Sequence, residues 1–380
     1  MVTKPRHLAA FLTVACALVM PISASASNTM LLGLFDDAVT LDPNANNFPV
    51  LQSLHAQVIR MTLTWGGRGG VANNQPAHPA DPSDAAYDWS RYDQAVERAN
   101  AAGIQLLLTI VGTPAWANGG KSPQYPPDSA GDLEAFAYAA AERYSGTFLD
   151  TATGRVLPRV GLWLAWNEPN NPVFLLPQYT LSGGKWTMAA PAAYARICNA
   201  VYSGVHATGG PEQVACGATA PRGGNSPTSA RPSISPLAFL RSAKSSGLRT
   251  FDAWAHHPYY GNPSDTPATR TPGSAIELGN IDELVSTVTV LYGNKPIWIT
   301  EYGYQTNPPD NVFGVSWTNQ AAYLKQAYEI ARANPRIDLF TWFLLKDSPS
   351  PNGWQSGLIT ASGREKPSFV TFANLRASSL

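Results

Sequence analysis

The chain has 380 residues, 44 % of them hydrophobic and only 14 % charged, with a formal net charge of zero. No field of either sign favours nucleic acid or an acidic membrane surface, so a neutral partner is expected and both of those are excluded. The length suits one large α/β unit, and the 32 prolines and 31 glycines are scattered instead of gathered in tracts, which predicts ordered loops between short elements.

The first 26 residues hold basic Lys4 and Arg6, an apolar stretch from Leu8 to Met20, and a small-residue end at Ala24, Ser25 and Ala26. That is the pattern of a secretory signal cleaved after Ala26, leaving residues 27–380 as one domain of a secreted chain. The apolar run is too short for a membrane anchor, and the residues before Cys16 fit a lipid-attachment site poorly. Removing the leader leaves Cys198 and Cys216. In an oxidising compartment they either form a disulfide or remain two buried thiols, and their spacing has no metal-ligand pattern.

Short apolar runs then recur along the chain: "MLLGLFD" (30–36), "QVIRMTLTW" (57–65), "QLLLTIVG" (105–112), "VGLWLAWNEP" (160–169), "VACGAT" (214–219), "FDAWAHHPYY" (251–260), "PIWITEYGY" (296–304) and "LFTWFLLKD" (339–347). Near-continuous apolar strands are what a parallel sheet buried on both faces requires. Between them lie helical segments such as 88–103, with Gly103 as its C-cap, and 132–146. Eight strands alternating with helices predict a single (β/α)8 barrel. An open doubly wound sheet is the rival, but it normally places a glycine-rich phosphate loop after its first strand, and "LFDDAVTLDP" has none.

Barrels of this kind build their sites at the C-terminal ends of the strands. Arg60 lies on the second strand; Asn167 and Glu168 end the fourth, His256, His257 and Tyr259 the sixth, and Glu301 and Tyr302 the seventh. Each has a bland alternative. Arg60 is either a partner for a structural carboxylate or part of a site; His256 reads as a core residue, His257 as core or site; Asn167 either caps a following helix or faces the site. Glu168 and Glu301 are hardest to explain blandly, because a carboxylate ending an apolar strand must find partners or hold its proton. Adjacent strand residues face opposite ways, so Asn167 and Glu168 reach one site only if the strand bulges or ends there.

"WNEPN" on the fourth strand, "HPYY" on the sixth, "ITEYGY" on the seventh and Trp342 in the eighth resemble clan A of the glycoside hydrolases, closest in flavour to families 5 and 39. The resemblance spans essentially the whole chain after the leader and implies a retaining glycosidase without cofactor or metal. It makes Glu168 the acid/base, Glu301 the nucleophile and Asn167 the ligand of the sugar 2-hydroxyl. Arg60, His257 and Tyr259 then surround the nucleophile, and Trp342 is the aromatic floor under the sugar. Family 39 xylosidases usually carry an additional β-rich domain, for which this chain has no counterpart.

Glycosidic cleavage asks for such a pair in its own right: one carboxylic acid protonates the departing oxygen and one carboxylate meets the charge at the anomeric carbon. A separation of about 5 to 5.5 Å makes the second a nucleophile, whereas roughly 6.5 to 9.5 Å leaves room for an inverting water. The apolar strand and the charge of Glu301 are both expected to raise the pKa of Glu168. Of the tryptophans, Trp163, Trp254 and Trp298 read as packing, and Trp116 joins Trp342 as a candidate sugar platform. The polar loop 220–236 either roofs the cleft or decorates the surface. The expected protein is a secreted monomer acting on a neutral, β-linked carbohydrate. The alternatives are a carbohydrate-binding barrel without catalysis and an inverting or non-glycosidic barrel hydrolase.

Overall fold

All eight apolar runs fold as strands. The computed structural model describes residues 1–2, 27 and 29–376; the leader read over residues 1–26, with Cys16, lies outside the described residues from residue 3 onward. The barrel strands are β1 (Leu31–Phe35), β2 (Val58–Thr64), β3 (Gln105–Val111), β4 (Leu162–Ala165), β5 (Gln213–Thr219), β6 (Ala253–His256), β7 (Ile297–Tyr302) and β8 (Ile337–Phe343). Each pairs in parallel with its neighbour in sequence, and β1 closes the ring on β8, with Leu31 opposite Leu339 and Phe35 opposite Phe343.

A helix follows each strand: α1 (Phe48–Ser53), α2 (Ser90–Ala101), α3 (Ala130–Arg143), α4 (Ala190–His206), α5 (Pro236–Ser245), α6 (Ile281–Tyr292), α7 (Trp317–Ala333) and α8 (Pro367–Asn374). Gly103 ends the α2 region at φ 68°, a left-handed position that glycine adopts without strain, as its place in the sequence predicts. Between β4 and α4 an antiparallel hairpin, Tyr179–Ser182 with Lys185–Met188, is inserted on the strand C-terminal side. Among the described residues no helix is long and apolar enough to cross a membrane.

Two-residue alternation divides the core into two parts. Val58, Leu107, Leu164, Ala215, Ala255, Trp298 and Leu339 fill the barrel interior. Trp163, Trp254 and Trp342 point outward and pack among the residues between strands and helices. Trp163, Trp254 and Trp298 are thus packing residues, as read. Cys198 on α4 and Cys216 on the outer face of β5 are joined in a disulfide, with their Cα atoms 5.9 Å apart.

Near the strand ends the alternation is broken twice. On β7, Ile299 and Tyr302 pair with Phe340 and Trp342 of β8, so β7 has one residue more than its partner. On β5 an additional residue lies between Cys216 and Thr219, opposite Trp254 and His256. Gly217 allows this second bulge at φ 102°, where a Cβ would come within 2.6 Å of the Ala255 carbonyl oxygen.

Candidate active site

β4 ends at Ala165, and the chain then takes two positive φ values, 67° at Trp166 and 35° at Glu168. Such positions persist only where the surroundings over-determine them. Here the Trp166 N–H donates to the Ile110 carbonyl at 2.8 Å, its indole N–H to the Phe174 carbonyl at 2.8 Å, and the Glu168 N–H to the Ala218 carbonyl at 2.9 Å. The turn puts Asn167 and Glu168 on the same side, as the strand-ending alternative required. Among the described residues no helix starts between Asn167 and Ala190, so Asn167 is not a cap. The β7 bulge does the same for its neighbours: Thr300 and Glu301 both face the barrel mouth.

Arg60 joins the two strands. It rises from the β2 interior, is buried, and its Nη1 donates to Glu301 Oε1 at 2.7 Å and to the Thr300 carbonyl at 3.1 Å. Its Nη2 donates to Asn167 Oδ1 at 2.6 Å and its Nε to Thr109 Oγ1 at 2.9 Å. The carboxylate partner of Arg60 is therefore Glu301. Because a guanidinium only donates, the Asn167 amide has its Oδ1 toward Arg60 and its Nδ2 turned away. Tyr259 donates its hydroxyl to Glu301 Oε2 at 3.0 Å, and burial beside this carboxylate raises the phenol well above its ordinary pKa.

His257 stands between the two glutamates, with Nδ1 3.1 Å from Glu168 Oε1 and 3.7 Å from Glu301 Oε1. Its Nε2 meets Arg60 Nη1 at 3.3 Å and Thr300 Oγ1 at 3.0 Å. Burial lowers its pKa to about 3, so the ring is neutral at ordinary pH. Since Arg60 can only donate, Nε2 accepts and Nδ1 carries the proton toward Glu168. His256 faces outward, bonded to Thr219 Oγ1 at 2.8 Å and the Ile276 carbonyl at 2.9 Å, which is the core role read for it.

Glu168 accepts from Asn171 Nδ2 at 2.8 Å through Oε2. Its pKa is raised, with burial as the main cause; the Asn171 hydrogen bond and the charges of Arg60 and Arg231 oppose it. The expected contribution from Glu301 is replaced by burial, because Arg60 sits directly on Glu301 and offsets its charge. One oxygen each of Glu168 and Glu301 and a nitrogen of His257 lie within 4.8 Å of one another. Arg60 and Tyr259 already occupy both oxygens of Glu301, so a metal cation would have to displace a buried guanidinium from the same carboxylate.

Of the residues read at the strand ends, Glu168, Glu301, Asn167, Arg60, His257 and Tyr259 converge, whereas Trp342 does not. Trp342 is fully buried on the outer face of β8, where its indole N–H donates to the Ser356 carbonyl at 2.9 Å, so it cannot floor a sugar site. The residue of β8 facing the mouth is its neighbour Phe343, whose ring lies 5.4 Å from Phe35 and 5.3 Å from Trp354. Trp116 stands edge-on to Trp65 at 5.8 Å and donates to the Ala72 carbonyl at 2.8 Å, contacts that include neither glutamate.

Trp354, from the loop after β8, was not singled out in the sequence. It is 47 % exposed and stacks 5.8 Å from Tyr259. Alternation could have found Phe343, since Leu339 and Thr341 face inward with it. No sequence signal marks Trp354 out from the other loop tryptophans.

A glycosyl hydrolase catalytic core model matches residues 242–372, a span that includes Glu301 and Trp354. No match is found among curated protein sequences. The structure is similar to a family 39 glycoside hydrolase from Bacteroides cellulosilyticus WH2, with TM-score 0.63 and 19 % identity over 94 % of this chain. The chain spans 64 % of that enzyme's length, just under two thirds. It is also similar to a glucosidase from Croceicoccus marinus, with TM-score 0.67 and 15 % identity over 93 % of this chain and 68 % of the other. A β-glucosidase from Exiguobacterium marinum gives TM-score 0.58 and 13 % identity over 93 % and 98 %. At these identities the structures speak for the barrel, and the catalytic-core match for the chemistry. The catalytic-core match supports a glycosidase, and the barrel is similar to those of clan A glycoside hydrolases.

Proposed function

We propose that the protein is a secreted, retaining O-glycosidase that acts on a neutral, β-linked saccharide or glycoconjugate. The observation that carries this reading is the close approach of Glu168 and Glu301, with oxygens within 4.8 Å, in two different environments. Such a spacing favours direct attack over an intervening water. Glu301 has a guanidinium and a phenol aimed at its two oxygens, which orients it as a nucleophile. Glu168 is buried with a raised pKa, which suits a proton donor. The leader pattern and the Cys198–Cys216 disulfide support secretion.

In the first step Glu301 attacks the anomeric carbon as the glycosidic C–O bond breaks and the Glu168 proton passes to the leaving oxygen. In the second, Glu168 takes a proton from water, the water oxygen bonds to the anomeric carbon, and Glu301 leaves with its electron pair. The Nδ2 of Asn167, turned from Arg60, is the donor for the sugar 2-hydroxyl. Activity on a panel of aryl β-glycosides and neutral polysaccharides, with the first-formed anomer read by proton NMR, tests this. A β product from a β substrate is expected; an α product would rule out the double displacement.

Trp354 replaces Trp342 as the expected sugar platform. Trp354→Ala should leave the melting temperature unchanged and raise KM up to about tenfold, since ring stacking contributes roughly 0.5–1.5 kcal/mol. Trp342→Ala should instead destabilise the fold by about 3–5 kcal/mol in denaturant unfolding, the cost of emptying a buried tryptophan site. A Trp342 variant of native stability with a raised KM would restore the original reading.

A further inference from the structure

Asn171 touches the glutamate of the fourth strand by two routes. Its Nδ2 donates to Glu168 Oε2 at 2.8 Å, and its backbone N–H donates to the Glu168 carbonyl at 2.9 Å. At the other end of the amide, Oδ1 accepts from Arg231 Nη2 at 3.3 Å and from the Val173 N–H at 3.2 Å. Both of those partners only donate, so the amide has one orientation and its N–H is aimed at the carboxyl group.

Arg231 is supplied by loop 220–236, which is fastened to the same turn. The buried Asn170 side chain accepts from the Ala220 N–H at 2.8 Å and donates to the carbonyls of Ala220 at 3.1 Å and Ile234 at 2.9 Å. The Ile234 N–H returns to the Asn170 carbonyl at 3.0 Å. The loop thus presents a cation to the outer end of Asn171 from a seat built on the next residue. The titratable and charged groups facing Glu168 are neutral His257 on Oε1, Glu301 across the mouth with Arg60 and Tyr259 on it, and Arg231 behind Asn171. Of these only His257 touches the carboxyl group, so among the described residues Asn171 is the remaining direct side-chain hold on it.

We propose that Asn171, held by Arg231 of loop 220–236, is a positioning residue that orients Glu168 and favours its ionised form, thereby setting the pH at which the acid releases its proton. This rests on Glu168 as acid/base. The dual role explains the need for such a group: Glu168 must be protonated to expel the leaving group and ionised to activate water. A donor on Oε2 limits how far burial can push the balance toward the protonated form.

Three variants test it in the full-length chain: Asn171→Asp, which is isosteric but replaces the donor by a charge, Asn171→Ala, and Arg231→Met. The alkaline limb of kcat/KM should move up by about one pH unit in Asn171→Ala, farther in Asn171→Asp, and less in Arg231→Met. A glycoside with a poor leaving group should lose more than a dinitrophenyl glycoside. A purely structural role would lower activity at every pH and on both substrates alike, and an unmoved limb in Asn171→Asp with Arg231→Met at wild-type values overturns the proposal. Glu168→Gln, run alongside, separates the two failures. If it keeps the alkaline limb, the acid/base assignment falls and this role with it; if it loses the limb while Asn171→Asp leaves it in place, only the role of Asn171 falls.

Discussion

Replacing Glu301 by alanine should lower kcat by about 10⁴-fold or more, because the carboxylate supplies the bond to the anomeric carbon and no neighbour can take its place. Tyr259 and His257 both lie beside it, but the tyrosine is held far from ionisation by burial and the histidine Nε2 already faces Arg60 and Thr300. The variant also strands a buried guanidinium: Arg60 loses its 2.7 Å partner, and an unpaired buried charge costs about 3–5 kcal/mol. Glu301→Gln keeps the shape and an acceptor for Arg60, and Tyr259 has only to turn its hydroxyl to accept from the new amide, so this variant separates much of the structural loss from the chemical one. Both should be inactive, with the alanine variant melting at the lower temperature. A slow 2-fluoro glycoside of the right sugar should label the peptide that holds Glu301, read by intact mass and peptide mapping. Label on another peptide would remove Glu301 from the nucleophile's role.

Glu168→Gln should give a second signature that no structural residue can imitate. The raised pKa of Glu168 places its proton loss on the alkaline side of the activity profile, so activity declines as the pH passes that value. In the glutamine variant this limb should flatten. A dinitrophenyl glycoside, whose leaving group needs little protonation, should keep most of its glycosylation rate, whereas a sugar–sugar bond should lose about 10²–10⁴-fold. Deglycosylation lacks its base, and azide should restore turnover and yield the β-glycosyl azide. Equal loss on both substrates without azide rescue would show that the turn after β4 serves another purpose.

The barrel was legible because burial on both faces leaves a periodic mark. Every apolar run from "MLLGLFD" to "LFTWFLLKD" became a barrel strand, and most of the polar residues singled out at their ends gather at the mouth, with His256 turned outward instead. Glu168 and Glu301 stood out because an apolar strand gives a carboxylate no partner of its own. The Cys198–Cys216 pairing stayed open in the sequence, since it depends on how α4 lies against β5.

What the sequence determined by itself was therefore the strand order and the closed sheet, with Glu168 and Glu301 as the two carboxylates that packing does not explain; Arg60, Asn167 and His257 stayed open there between core and site. What the tertiary structure decided was which way side chains face where the alternation slips, and what the loops bring in. Positive φ values at Trp166 and Glu168 and the additional residue on β7 put adjacent residues on one face, against the period-two rule. On β8 the rule holds from Leu339 to Phe343, so Phe343 faces the mouth and Trp342 the helices. Trp354 and Arg231 reach the site only through loop paths set by contacts far along the chain. A short period written in one strand cannot encode those contacts, which arise only when the strands close and the loops are seated against one another.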